Sequence, residues 1–570
     1  MISRDKIKNK FINFSEKIKA FVHRHDWLDK FAFFVFGILW LIRSKIIFRG
    51  LRKKVTEQAS KKETRKSKIL VLAIRAIPST SLVYFDAMFG HGFSLAGAEV
   101  LMLYCDGLMD SCDADTVFRN QKAQCYSCRK LGCYAKKFLG LENLNCVSYK
   151  DYITDRNISN IRSEAMGLEK SRLFSHRYLG VETGLHAKIA TIRFFLDGRL
   201  DLNDLKQEAV FREKLFYAMI AAKVASKIIE KENPDTIFML HGIYSSWGPF
   251  LSYFKQKGKD TYVYDNKLSK LGYFTFHHNA EPYQIFGRKA WLDFSRFPLA
   301  KEEELQLKDY LGERFKGKLG EYSMYKGDFG NQKAKNSALE SLFKKNYEKK
   351  YVMYPGVAWD GSIKGYTSEV FEDMFDWLDK TIEFFKKNKN YRLIVKSHPA
   401  EIITDKCNTS VAVYLEEKHG PLPENIIVLV PDTAVRAYDL MSPDLVSITY
   451  DGTIGLELAL MGLPVLVAGD SHYREAGVVK KLETLDEYFK LLEDHSELVS
   501  FAKSHVELAK KYAYFYFLKS MARVPFYSRK KWSVVDWEKI SDEKELFSEE
   551  GDFMKICRKI VEKKDIISPL

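Results

Sequence analysis

The sequence predicts an α/β protein with two Rossmann-like domains facing one cleft, preceded by a basic helical arm. Three observations carry this. Short β-branched apolar runs alternate with helical stretches in both halves of the chain. At 570 residues the chain exceeds what one core encloses, roughly 250–300 residues. The excess positive charge is confined to the segment before the first strand.

That segment decides the charge argument. Residues 1–68 hold 19 basic and 6 acidic residues, or +13, and the other 502 hold 71 and 69, or +2. The balanced body argues against a large nucleic-acid-binding face. Within the arm, Phe31–Ile42 (FAFFVFGILWLI) is an apolar run of 12 residues, short of the roughly 20 needed to span a bilayer. It follows 30 mixed residues, which does not fit a signal peptide. Lys30 precedes it, and Arg43, Lys45, Arg49, Arg52, Lys53 and Lys54 follow. The pattern predicts a helix lying on an anionic membrane surface, at the cytoplasmic face and held peripherally or monotopically. The alternative is a helix packed on the body. Residues 1–67 are the membrane-associating arm and linker.

The first domain is expected over 68–345. Ile69–Ile74 reads as a buried strand, Leu82–Phe89 as a helix and Glu99–Tyr104 as the next strand, with Gly90, Gly92 and Gly97 as turns. This is a βαβ unit, which implies a parallel sheet. A helical stretch through Phe211–Glu232 stops at Asn233-Pro234, and Thr236–Leu240 is a strand delivering His241-Gly242 to its C-terminal end. Open α/β sheets bind ligands at that end.

The second domain is expected over 346–520. Lys350–Pro355, Tyr391–Lys396, Ile426–Leu429, Leu445–Thr449 and Pro464–Ala468 are strands with helices between them. Residues 521–570 read as helices that return to the first domain.

Three motifs fall where strands of the second domain end. The first is Tyr354-Pro355-Gly356 with Trp359, the second Lys396-Ser397-His398-Pro399-Ala400-Glu401, the third Tyr450-Asp451-Gly452-Thr453-Ile454-Gly455-Leu456-Glu457, closed by Gly462 and Pro464. In the third, Gly452 to Gly455 opens a helix whose free amides suit a phosphate, while Asp451 or Thr453 can instead cap it. His398 can donate to a phosphate oxygen, more strongly when protonated, or cap the next helix. Lys396 shares its face and adds a cation.

The pair SHPAE and YDGTIGLELALMGLPV resembles the capsule and surface polysaccharide biosynthesis glycosyltransferases, relatives of bacterial Kdo transferases and polysialyltransferases. The resemblance covers residues 350–470. It implies a GT-B-like fold and transfer of a sugar from a nucleotide-activated donor, CMP-linked in that family, to a surface polysaccharide or lipid-linked glycan. His398 and Pro399 match its His-Pro motif. Thr453, Gly455 and Glu457 match the second motif, so these positions, with Gly452, Lys396 and Tyr354, are the expected donor-phosphate and ribose site. Relatives carry Ser-Ser or Ser-Thr where this chain has Asp451-Gly452-Thr453, which leaves UDP, GDP and dTDP beside CMP. Amides and imidazole can stabilise the leaving phosphate, so no catalytic metal is required. The same architecture also suits an epimerase- or hydrolase-like enzyme acting on nucleotide sugars, or a non-catalytic capsule assembly or export scaffold.

The first domain must then orient the acceptor or supply a base. His241, His91 in Gly90-His91-Gly92, and Asp265 are the candidates. Five of the eight cysteines lie between Cys105 and Cys133. Cys112, Cys125, Cys128 and Cys133 are the expected ligands of a structural zinc, within an insertion over 105–146, with an iron–sulfur cluster or unliganded thiols as alternatives.

Overall fold

The computed structural model describes residues 67–74, 81–109, 144–266, 272–280, 288–317, 332–359, 368–402, 410–529, 535–541 and 546–567, with single positions at 113, 139 and 140 and between 31 and 53. Two β-sheets organise them. The chain enters the first through β1 (Ser67–Leu72), α1 (Ser81–Leu95), β2 (Ala98–Tyr104) and β3 (Asn145–Ser148). Helices α2 (Thr183–Phe195) and α3 (Leu205–Glu232) lead to β4 (Thr236–Leu240), β5 (Asp260–Asn266) and β6 (Tyr273–His278). Asp204 caps α3 by accepting from the Lys206 and Gln207 amides. Asn233, left-handed at φ 43°, ends it before Pro234.

After α4 (Lys301–Phe315), the second sheet is built from β7 (Lys349–Tyr354), α5 (Met374–Lys387), β8 (Tyr391–Lys396), α6 (Val411–His419), β9 (Ile426–Leu429), β10 (Val446–Thr449), α7 (Ile454–Leu460) and β11 (Val465–Val467). The chain then runs through α8 (Ser496–Tyr514) to β12 (Ala522–Arg523), which pairs with β6 of the first sheet, and on to α9 (Asp552–Val561).

The second sheet is parallel throughout, in the order β11-β10-β7-β8-β9. The first is mixed, in the order β12-β6-β5-β4-β1-β2-β3. Its five strands β5, β4, β1, β2 and β3 are parallel, and β6 and β12 add an antiparallel edge. Both sheets are covered on both faces. Along β1, Ile69 and Val71 enter one core while Leu70 and Leu72 enter the other. Along β7, Val352 and Tyr354 part in the same way from Tyr351 and Met353. Burial on both faces is why these strands read as unbroken apolar runs.

Gly90 and Gly92 are not turn residues. They lie inside α1, which continues to Leu95. A Cβ at Gly90 would sit 2.8 Å from Met102 Sδ, and one at Gly92 would meet Cys557 Sγ and the ring of Phe553. These glycines let α1 pack closely against β2 and α9.

Candidate active site

In each sheet the strand order reverses once, and the reversal opens a crevice at the C-terminal strand ends. In the first sheet β2 and β3 extend from one side of β1, and β4 follows on the other. In the second, β8 and β9 lie on one side of β7 and β10 on the other. The switch points are therefore between β1 and β4, and between β7 and β10.

The β7 and β10 ends meet closely. A Cβ at Gly356 would lie 2.8 Å from Asp451 Oδ1, so the Pro355-Gly356 turn passes directly beside the Asp451 carboxylate. Thr449 donates its hydroxyl to the Tyr354 carbonyl at 3.0 Å, which ties the two strand ends together. The β8 end, beside β7, carries Lys396, Ser397 and His398.

This β8 end is a buried titratable cluster. Lys396 is 3% exposed and donates to the Ser397 carbonyl at 2.9 Å. Burial lowers its pKa to about 8, opposed by the charges of Glu401 and Asp432. His398 Nδ1 accepts the Ala400 amide at 3.0 Å, which assigns the ring proton to Nε2. Burial first, then the Lys396 charge, lowers the His398 pKa to about 4. Of the two protonation states in which His398 could donate, burial thus favours the neutral one at physiological pH. Glu401 closes the turn that starts at Pro399. One of its oxygens accepts the Val411 amide at 3.2 Å, while buried Oε2 has no partner among the described residues. Burial raises its pKa to about 7. The buried Ser397 hydroxyl also lacks a partner. Sequence reasoning did not select Glu401, although the three-residue spacing from His398 to Glu401 was its signal.

Other expected donor residues have structural duties. Glu457 is 2% exposed and pairs with Arg314 of α4, whose guanidinium lies 5.1 Å from the Phe517 ring centroid. Tyr438 adds a hydroxyl to the same carboxylate at 3.4 Å. A buried, paired Glu457 anchors α7 to α4 rather than reaching a ribose. Gly455 makes room for the Tyr473 ring, whose hydroxyl bonds the Gly452 carbonyl at 2.8 Å. Tyr354 is buried and donates to the Ala437 carbonyl at 3.3 Å. Thr453 stands at the N-cap of α7 without a side-chain cap bond. That helix has only seven residues, and the buried cation and unbonded polar atoms gather at the β8 end instead.

In the first sheet, His241 leaves β4 at the switch point. Its φ is +22°, followed by Gly242 at +62°. A positive φ costs a histidine backbone of order 1–3 kcal/mol, and such strain gathers at ligand sites. The His241 ring meets Tyr244 and Trp247 edge-on, at centroid distances of 5.1 and 5.0 Å. Asp113 ties the insertion to this loop: it accepts the Ser246 amide at 2.7 Å and pairs with buried Lys214 at 3.5 Å. Asp265 is exposed at the end of β5, next to β4. His91 is displaced from the candidates: it lies in the middle of α1, fully buried, with Nε2 2.8 Å from the Leu139 carbonyl.

Helix α2 joins the two switch points. Near its start His186 binds the Ile243 carbonyl at 2.7 Å, two residues beyond His241. Seven residues later, or about 10 Å along the helix, Arg193 lies over the Trp359 ring of the β7 loop at 5.4 Å. Among the described residues, buried Nη1 of Arg193 and Nε1 of Trp359 have no hydrogen-bond partner. A Cβ at Gly198 would lie 2.6 Å from Ala358, and Arg199 pairs with Glu417 of α6. Neither Arg193 nor Trp359 was chosen from sequence as a site residue, because their proximity depends on two distant loops.

Cys112, Cys125, Cys128 and Cys133 lie outside the described residues. Among the described residues no group of histidine, cysteine, aspartate and glutamate side chains could hold a metal.

No protein-family model matches the chain, and no curated protein matches it. Among solved structures, one described as a UDP-N-acetylglucosamine 2-epimerase from Listeria monocytogenes is 13% identical. It covers 79% of this chain and 94% of its own, with a TM-score of 0.23. At that score the likeness carries no argument, and the functional reading rests on the chain's own residues.

Proposed function

We propose that this protein is a GT-B-type glycosyltransferase that moves a sugar from a nucleotide-activated donor to a surface polysaccharide or lipid-linked glycan. The observation that carries this reading is the pairing of the two switch points through α2, with a cationic, donor-rich strand end on one side and a strained histidine on the other.

The chemistry follows from those residues. The acceptor oxygen forms a bond to the anomeric carbon as the bond from that carbon to the donor phosphate breaks. Negative charge gathers on the departing phosphate. Neutral His398 donates through Nε2–H, and the Lys396 ammonium supplies the positive charge that the phosphate favours. An incoming phosphate also raises the Lys396 pKa from about 8, which keeps the ammonium charged. His241 takes the acceptor proton or orients the hydroxyl, with Asp265 on the neighbouring strand as the carboxylate candidate.

The test is a thermal-shift screen of CMP-, UDP-, GDP- and dTDP-sugars, followed by a transfer assay with glycan acceptors. Stabilisation by one nucleotide series and acceptor-dependent sugar transfer are expected. Sugar release or inversion without an acceptor would move the protein to the hydrolase or epimerase class. Absence of any nucleotide-sugar binding would favour the scaffold reading.

A further inference from the structure

We infer that the N-terminal arm is a lipid-docking surface, and that its occupant is the anionic leaflet of a membrane. This stands apart from the proposed transfer reaction. Its described positions from Phe31 to Lys53 are all helical. Phe31, Val35, Ile38, Leu39 and Ile42 are exposed, with Phe31 at 62% and Leu39 at 57%. Their spacing of four, three, one and three places them within an arc of about 100° on a helix. Leu41 is buried and Phe34 half-buried, on one flank of that arc. The arm therefore has a covered flank and an outer apolar side that no described residue covers.

Charge selects the occupant. Lys45, Arg49 and Lys53 follow at intervals of four, which places them on one helical face, and all three are exposed. An apolar stripe continued by cations fits an interface where acyl chains lie under anionic headgroups. A protein partner would need an acidic rim around an apolar groove, and the chain's own body is nearly neutral. The apolar part is too short to cross. Twelve residues reach about 18 Å against a hydrocarbon core of about 30 Å, and among the described residues no helix is long and apolar enough to span a membrane. The arm lies in the interface plane, its apolar side buried and its cations at headgroup level.

The experiment is sedimentation of the full-length protein with phosphatidylcholine vesicles, with and without phosphatidylglycerol, at low and high salt. Strong binding is expected only with phosphatidylglycerol, weakening as salt rises. Replacing Lys45, Arg49 and Lys53 together with Gln should weaken partitioning about a hundredfold, at about fivefold per charge. The variant Leu39→Glu/Ile42→Glu should lose binding to the phosphatidylglycerol vesicles while keeping the wild-type melting temperature. Equal binding by wild type and both variants overturns the proposal. So does a full-length protein that ignores vesicles but forms dimers which Leu39→Glu/Ile42→Glu dissolves, because the stripe then belongs to a second copy.

Discussion

The guanidinium of Arg193 lies over the indole of Trp359, 5.4 Å from the ring centroid, and so joins the helix that starts beside His241 to the loop that leaves β7. A half-buried cation–π pair of this kind is worth about 1–2 kcal/mol. Arg193→Ala should lower the unfolding free energy by that amount, read as a lower urea midpoint at unchanged slope. Trp359→Phe keeps an aromatic face and should cost less than 1 kcal/mol. A fluorescence change in Arg193→Ala that disappears in the Trp359→Phe background would locate the effect at this contact; equal midpoints for Arg193→Ala and wild type would count against it.

Gly198 tests how tightly the two sheets meet. A side chain there would press on the Ala358 backbone and the Phe375 ring. Gly198→Val should therefore cost about 1–3 kcal/mol and weaken donor binding, because the β7 loop must move. Unchanged chemical denaturation of this variant would show that the junction opens freely.

His398→Ala removes a neutral donor to a charged acceptor, worth about 1.5–3 kcal/mol. Transfer should slow roughly 10- to 150-fold. Because the His398 pKa sits at about 4, any limb of the wild-type rate near pH 6.5 belongs to another group and should persist in His398→Ala. A rate within threefold of wild type in a folded His398→Ala protein removes this residue from the mechanism.

His398 and Glu401 make opposite demands on stability as pH changes. The folded His398 pKa is lowered from 6.5 to about 4, so the unfolded chain holds more protons in that window and stability rises with pH. The folded Glu401 pKa is raised from 4.5 to about 7, so the native state holds more protons and stability falls with pH. The two slopes largely cancel between about pH 4.5 and 6.5. Glu401→Gln removes one of them. Its stability should then rise by about 3 kcal/mol from pH 4 to 6.5, where wild type stays nearly flat. Parallel pH curves for the two proteins would refute the assignment.

The C-terminal segment should loosen at alkaline pH. His278 bonds Asp565 and Asp260, at 3.1 and 3.2 Å, beneath the stacked ring of Tyr262. Burial opposes its charge, but the two carboxylates outweigh burial and raise the pKa. A raised folded pKa gives stability that is fully present below the unfolded value and lost as pH rises through the folded one. Hydrogen exchange in α9 and at Lys564 should therefore accelerate above neutrality more than intrinsic chemistry explains. His278→Gln should remove that acceleration.

The parallel strands were legible because they are buried on both faces: YRLIVK and TIFML form strands over the residues their apolar runs mark. The motif positions at strand ends were legible for the same reason. What the sequence hid was pairing across distance. Glu457 reads as a ligand residue until Arg314, 143 positions earlier, claims its carboxylate. Gly90-His91-Gly92 reads as a turn because the atoms that exclude a Cβ belong to Met102, Phe553 and Cys557. The protonation of His398 follows from burial beside Lys396, which no spacing rule reports.

The return of the chain to its first sheet constrains how the protein is made. The core over α1 is completed by Val524, Phe526, Phe553, Ile556 and Ile560, residues synthesised only after the whole second sheet. During synthesis the first sheet waits with Phe85, Phe89 and Phe93 uncovered while the whole second sheet is being translated. The second sheet, continuous in sequence, can close on its own first. A fragment ending near residue 345 should accordingly aggregate on expression, whereas one spanning 288–520, which keeps α4 and its Arg314–Glu457 pair with the second sheet, should stay soluble, and nascent full-length chains should depend on chaperones until α9 arrives.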